Sequence, residues 1–157
     1  MKKNLLLFVF CIFITHLFST TKADYTDQDY LDTIRAITKT GSIKAYTVDE
    51  LRYAIITESD TIRYFILSTD YSQVKGYRGI TTLGLILNSD LTVHHVEIIS
   101  SQDTRSYITR INAMGLMQRL IGYKAGDQVE LVTGATMTSD AIIKTIDESI
   151  TRFKEIK

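Results

Sequence analysis

Residues 129–140 read VELVTGATMTSD. A β-prone run, Val129-Glu130-Leu131-Val132, stops at Thr133-Gly134-Ala135-Thr136, and an amphipathic segment follows Met137-Thr138-Ser139-Asp140. In that segment Ile142, Ile146, Ile150 and Phe153 fall on one stripe at helical spacing. The pattern predicts a short strand over 129–132 and a last helix over about 139–153, joined by the motif loop. Two readings of the loop are open. In the first, Gly134 makes a turn and Thr138 or Ser139 caps the helix. In the second, the loop is an anion site. The first amides of a helix lack internal partners, and the helix dipole makes that end partly positive. Gly134 lets the backbone come close, Ala135 keeps the approach open, and Thr136 puts a hydroxyl beside the pocket. Spacing alone favours the cap over a site that holds or carries a phosphate, because caps of this kind are common.

Upstream, the chain alternates between helical and β texture. Tyr30, Leu31, Ile34 and Ile37 predict a helix over 24–40, capped by Thr26 or Asp27 and stopped at Gly41. Thr47-Val48-Asp49-Glu50 has the form of a capping box, which predicts a short turn of helix leading to Tyr53. Strands are expected at 53–56, 62–67, 80–87 and 93–99, with turns at Glu58-Ser59-Asp60 and Asn88-Ser89-Asp90 and a loop at Gly76-Tyr77-Arg78-Gly79. Consecutive strands with tight turns make an antiparallel meander. Helical spacing returns over 106–121 through Ile108, Ile111, Gly115, Leu116 and Leu120. Together these give an α+β class: a single domain whose antiparallel sheet is flanked by helices.

The 157-residue chain has no net charge. Its first 23 residues have the three-part plan of a secretory signal peptide: basic Lys2-Lys3, an apolar run over 5–18, and Thr21-Lys22-Ala23 before the cut. That leaves 24–157 as the functional domain, with 15 basic and 18 acidic side chains and a net charge of −3. A mildly acidic exported domain lacks the basic face that nucleic acid requires. The sole cysteine, Cys11, lies within the signal, so 24–157 has no disulfide, thiol nucleophile or cysteine metal site. The expected location is periplasmic, or the extracytoplasmic face of a membrane.

Other chemistries lack their residues. His94 and His95 are neighbours in a strand, where side chains alternate between faces, so no shared metal is expected. There is no Gly-x-Ser-x-Gly elbow, no Gly-x-Gly-x-x-Gly and no Walker loop.

The motif Thr133-Gly134-Ala135-Thr136-Met137-Thr138, placed just before the last helix, resembles the attachment motif of the FMN-binding domain family. That family includes flavin subunits of sodium-translocating NADH:quinone reductase and Rnf complexes, and the periplasmic domain of the nitrous-oxide-reductase regulator. The resemblance is strongest over 60–153. It takes in Phe65-Ile66-Leu67-Ser68-Thr69, the loop Lys75-Gly76-Tyr77-Arg78-Gly79-Ile80, and paired strands ending in Gln102-Asp103-Thr104.

The resemblance implies FMN joined through its phosphate to Thr136 by a flavin transferase that uses FAD. It implies cofactor contacts from Thr133, Gly134, Ala135, Met137, Thr138 and Ser139, with Glu130, Asp103, Thr104, Leu116 and one or two tyrosines as further candidates. The implied function is electron transfer between membrane or periplasmic redox proteins, as a carrier more than a stand-alone enzyme. Two departures stand out. Glu130 replaces the family's usual Asp, and Ser101-Gln102-Asp103-Thr104 replaces its His-x-Glu-Thr turn. A flavin-free or reversibly binding module that docks on a membrane partner is the alternative.

Overall fold

The computed structural model describes residues 27–38 and 41–157. The expected signal peptide, the start of the first helix and its Thr26 cap lie outside the described residues. Residues Leu31–Lys157 form one compact unit. The elements are α1 (Asp27–Thr38), β1 (Ser42–Val48), β2 (Leu51–Glu58), β3 (Thr61–Leu67), α2 (Ser68–Tyr71), β4 (Thr81–Asn88), β5 (Val93–Ser101), α3 (Arg105–Ala113), α4 (Leu116–Arg119) and α5 (Thr136–Ile156).

The strands form one antiparallel sheet in the order β1-β2-β3-β4-β5. The meander is as expected, with one more strand. Residues 47–50 make a hairpin turn and not a helical one. Val48 pairs with Leu51, and Asp49 and Glu50 both take positive φ, 48° and 66°. That geometry matches the right-handed twist of the flanking strands, and the local capping-box pattern loses to it.

β4 is buried on both faces. Leu83, Leu85 and Leu87 join the core beneath α5, where Ile142, Ile146, Ile150 and Phe153 form the expected stripe. Phe153 sits among Tyr53, Tyr64 and Tyr71, with ring centroids 5.3–6.2 Å apart. α1 lies on the opposite face. A Cβ on Gly84 would come within 2.9 Å of Ile37 Cδ1, so glycine here sets how closely α1 approaches the sheet. The fold therefore has three layers, with helices on both faces of the sheet.

Three further expectations change. The helix expected over 106–121 is split, because Gly115 takes φ +67° between α3 and α4. Residues 129–132 are not a strand. Their backbone groups go to side chains and a turn: Glu130 O accepts from Arg119, Val132 N donates to Ser139 Oγ, and Val132 O accepts from Ala135 N. α5 begins at Thr136, three residues before the expected start, with Ala135 as N-cap.

Left-handed φ costs a non-glycine residue roughly 1–2 kcal/mol. The double substitution Asp49→Asn, Glu50→Gly should therefore raise stability by about 1 kcal/mol. Urea unfolding should show a higher midpoint with an unchanged slope.

Candidate functional site

The site is built around a carboxylate. Asp103 follows β5, is 8 % exposed, and accepts four hydrogen bonds from other residues. Oδ2 accepts from Tyr77 N at 2.9 Å and from Thr138 Oγ1 at 2.6 Å. Oδ1 accepts from Arg78 N at 3.2 Å and Thr104 N at 2.7 Å. Ser101 Oγ fixes the turn from below, accepting from Asp103 N at 3.0 Å and lying 2.8 Å from Thr81 Oγ1.

The glycine loop can wrap this carboxylate only because it has no side chain there. A Cβ on Gly76 would sit 2.3 Å from Asp103 Oδ2, and one on Gly79 would sit 2.7 Å from Gln102. Burial pushes the Asp103 carboxyl up. The donors from Thr138, Thr104, Tyr77 and Arg78 outweigh it and hold the group below the usual carboxylate range.

Asp103 thereby anchors the first turn of α5. Thr138 is 1 % exposed and its hydroxyl donates to Asp103. Ser139 is fully buried. Its Oγ receives Val132 N and lies 3.0 Å from the carbonyls of Ala135 and Thr136, stapling the motif loop to the helix. Neither residue caps α5, which has no side-chain cap. The first intrahelical amide is Ser139 N, bonded to Ala135 O. The amides of Thr136, Met137 and Thr138 are thus left facing outward at the positive end of a 21-residue helix. Gly134 turns the chain into this position with φ +77°. Thr136 is the first residue of α5, and its exposed hydroxyl has no hydrogen bond among the described residues. Of the two readings of the motif, the geometry fits the anion site.

A cleft of about 170 Å³ opens beside it, lined by Tyr77, Tyr107, Gly134, Ala135, Thr136, Met137 and Thr138. Tyr77 and Tyr107 meet edge to face, with centroids 5.6 Å apart, and Met137 is 62 % exposed. The tyrosines are two of the nine in the chain; Tyr77 stands in the glycine loop already noted, and only the fold singles out Tyr107.

Arg110 of α3 was not legible in the sequence. Its guanidinium lies 3.2–3.3 Å from where a Gly134 Cβ would be, and its NH1 is 3.5 Å from Thr133 O. It is exposed and has no acidic partner among the described residues. Its helical spacing of three from Tyr107 was the one available signal, and that needs the cleft to be known first.

Three other expected contacts fall elsewhere. Leu116 is fully buried in the core, and its place in the hydrophobic pattern already required that. The Glu130 side chain is 91 % exposed, 3.9 Å from Arg119, and outside the cleft. Thr104 precedes α3 with its hydroxyl buried and unpartnered among the described residues; its amide, not its side chain, serves Asp103. Thr133 is exposed at the rim.

Residues 76–151 match the family model of the FMN-binding domain. This segment is an FMN-binding domain. The match starts at Gly76, whose Cα packs on Asp103, and ends at Thr151 within α5, so the whole cleft lies inside it. A flavin-binding role, with FMN as cofactor, follows from that family. The residues present fit the group: open amides and a guanidinium for a phosphate, two tyrosines and a methionine for a ring. A search of the curated proteins gave no match.

Two outcomes test the anchor. Gly76→Ala should lower stability by about 1–3 kcal/mol, because backbone or carboxylate must move, and should reduce FMN-dependent colour in parallel. Asp103 has a depressed folded pKa, so its contribution is present above its unfolded pKa of about 3.9 and is lost as pH falls through the folded value. Asp103→Asn should lose about 3 kcal/mol at neutral pH and show a shallower acid limb below about pH 4 in thermal melts.

Proposed function

We propose that this chain is an exported flavoprotein that carries one FMN as a phosphoester on Thr136 and passes electrons between partner redox proteins. The supporting observation is the exposed, unbonded Thr136 hydroxyl at the open amide end of α5, within a segment matching the FMN-binding domain. Attachment uses FAD and a flavin transferase. The Thr136 oxygen forms the new bond to phosphorus, the pyrophosphate bond breaks, AMP leaves, and the hydroxyl proton passes to a base of the transferase.

The chain's own residues then have separable tasks. The open amides of Thr136, Met137 and Thr138 would hold the phosphate, with Arg110 as its counter-charge. Tyr77, Tyr107 and Met137 would line the ring. Asp103 spends its oxygens on holding the loop and helix that would touch the cofactor. FMN, when bound, supplies reversible storage and release of electrons. The cleft, at about 170 Å³, is smaller than the roughly 300–1,000 Å³ of sites that engulf a ligand. A flavin held there keeps an exposed edge for a partner.

The location is argued from the signal-like residues 1–23. Outside the cell a reversible cofactor is lost once free ligand falls below its dissociation constant, and an ester prevents that loss. The departures from the family pattern are compatible with this reading. Ser101 is used, since its hydroxyl holds the Asp103 amide. The Glu130 carboxylate stands in solvent, where a transferase can reach it.

Export with an active flavin transferase, denaturation and intact mass should show a gain of one FMN less one water, absent in Thr136→Ala. An unmodified mass beside a modified control substrate would overturn the ester. Colour lost on denaturation would then indicate a reversible binder, and a colourless protein a docking module. Arg110→Gln should slow attachment by about tenfold, the value of one charge-assisted contact, without changing the final mass.

A further inference from the structure

The other face of the sheet carries a groove that the flavin reading does not use. It has a volume of about 170 Å³ and is lined by Ile37, Thr38, Ile56, Glu58, Arg63, Ile86, His94 and His95. Strand alternation should have sent the two histidines to opposite faces. A β-bulge prevents this: Ile86 pairs with His95 and Leu87 with Val93, so His94 is the extra residue. Val93 and Val96 remain in the core beneath α5, and both imidazoles line the groove under α1.

We propose that this groove is a second ligand site, which takes a small oxyanion, a phosphate or a carboxylate, between Arg63, His94 and His95. Arg63 pairs with Glu58 through NH1, at 3.5 Å, while its Nε is shut off from solvent with no acceptor among the described residues. A buried donor without an acceptor costs roughly 1–3 kcal/mol, so a small rotation of Arg63 that turns Nε toward an oxygen bound in the groove would remove that cost. The two imidazoles add donors that strengthen on protonation. A metal fits poorly, because Arg63 opposes it and no group of three or more ligating side chains exists among the described residues.

The groups facing His94 are Glu58 from β2, Arg63 from β3 and His95 from β5; Glu97 sits 3.8 Å from His95, and α1 presents Ile37 and Thr38. Burial, then Arg63 and His95, hold His94 below its ordinary range, against Glu58. A bound anion reverses the balance of charge. Binding therefore takes up a proton and tightens as pH falls through the free-protein value.

The test is NMR of the imidazole Cε1 protons in the purified full-length chain, assigned with His94→Gln and His95→Gln. Sodium phosphate and sodium acetate are titrated against sodium chloride at matched ionic strength, at about pH 6 and about pH 8. The expected result is a saturable shift of both signals with a dissociation constant on the order of 1 mM, tighter at the lower pH. Arg63→Gln should weaken it by about tenfold or more, with Arg63→Lys intermediate. A preference for phosphate or for acetate identifies the source of the oxyanion. Absence of saturation in the unsubstituted chain, or an equal response to chloride, overturns the proposal even if an Arg63 variant fails to fold. The readout is independent of flavin attachment at Thr136.

Discussion

The buried carboxylate of Asp103 is the constraint on which the site depends. It gathers amides from the glycine loop and from the start of α3, and a hydroxyl from the first turn of α5. These donors come from positions as far as 35 residues away in the chain. In low dielectric a charged acceptor strengthens each such bond, and each bond keeps the carboxylate ionised. The negative charge also lies close to the N-termini of α3 and α5, where helix dipoles favour it. One side chain thus decides where the cleft walls stand and leaves the α5 amides outside its own network free for a ligand.

That division of labour explains why the hydroxyls of two motif residues are not offered to the cleft. Thr138 and Ser139 are buried and spend their hydroxyls on Asp103 and on the loop. Thr136 and Met137 are left outward by helical geometry, at the first two positions of α5. The three-layer body behind them is well packed, with β4 buried on both faces and Phe153 set among three tyrosines. A site built on such a body keeps its geometry while one edge stays open to solvent.

Backbone irregularities do much of the positioning. Gly134 at φ +77° turns the chain into α5, Gly115 breaks what would have been one long helix, and the bulge at His94 redirects an imidazole. Each is a single-residue departure from regular geometry with a consequence several residues away. The hairpin at Asp49 and Glu50 belongs with them, because strand twist imposed left-handed φ on two residues that do not prefer it.

The sequence by itself determined the α+β class, the antiparallel meander of β2 to β5 and the stripe on the last helix, and it marked the motif loop as a cap or an anion site without deciding between them. These rest on periodicity and on short-range backbone rules, which act within a few residues. Only the tertiary structure decided the rest. Residues 129–132 are β-prone, yet no strand among the described residues offers them a ladder, so side chains take their hydrogen bonds. Tyr77 is marked by its glycine loop but Tyr107 and Arg110 carry no local mark, and the loop on Asp103 and the packing of α3 on α5 bring all three to Thr136. Contacts between distant segments depend on the whole chain closing, and no local pattern encodes them.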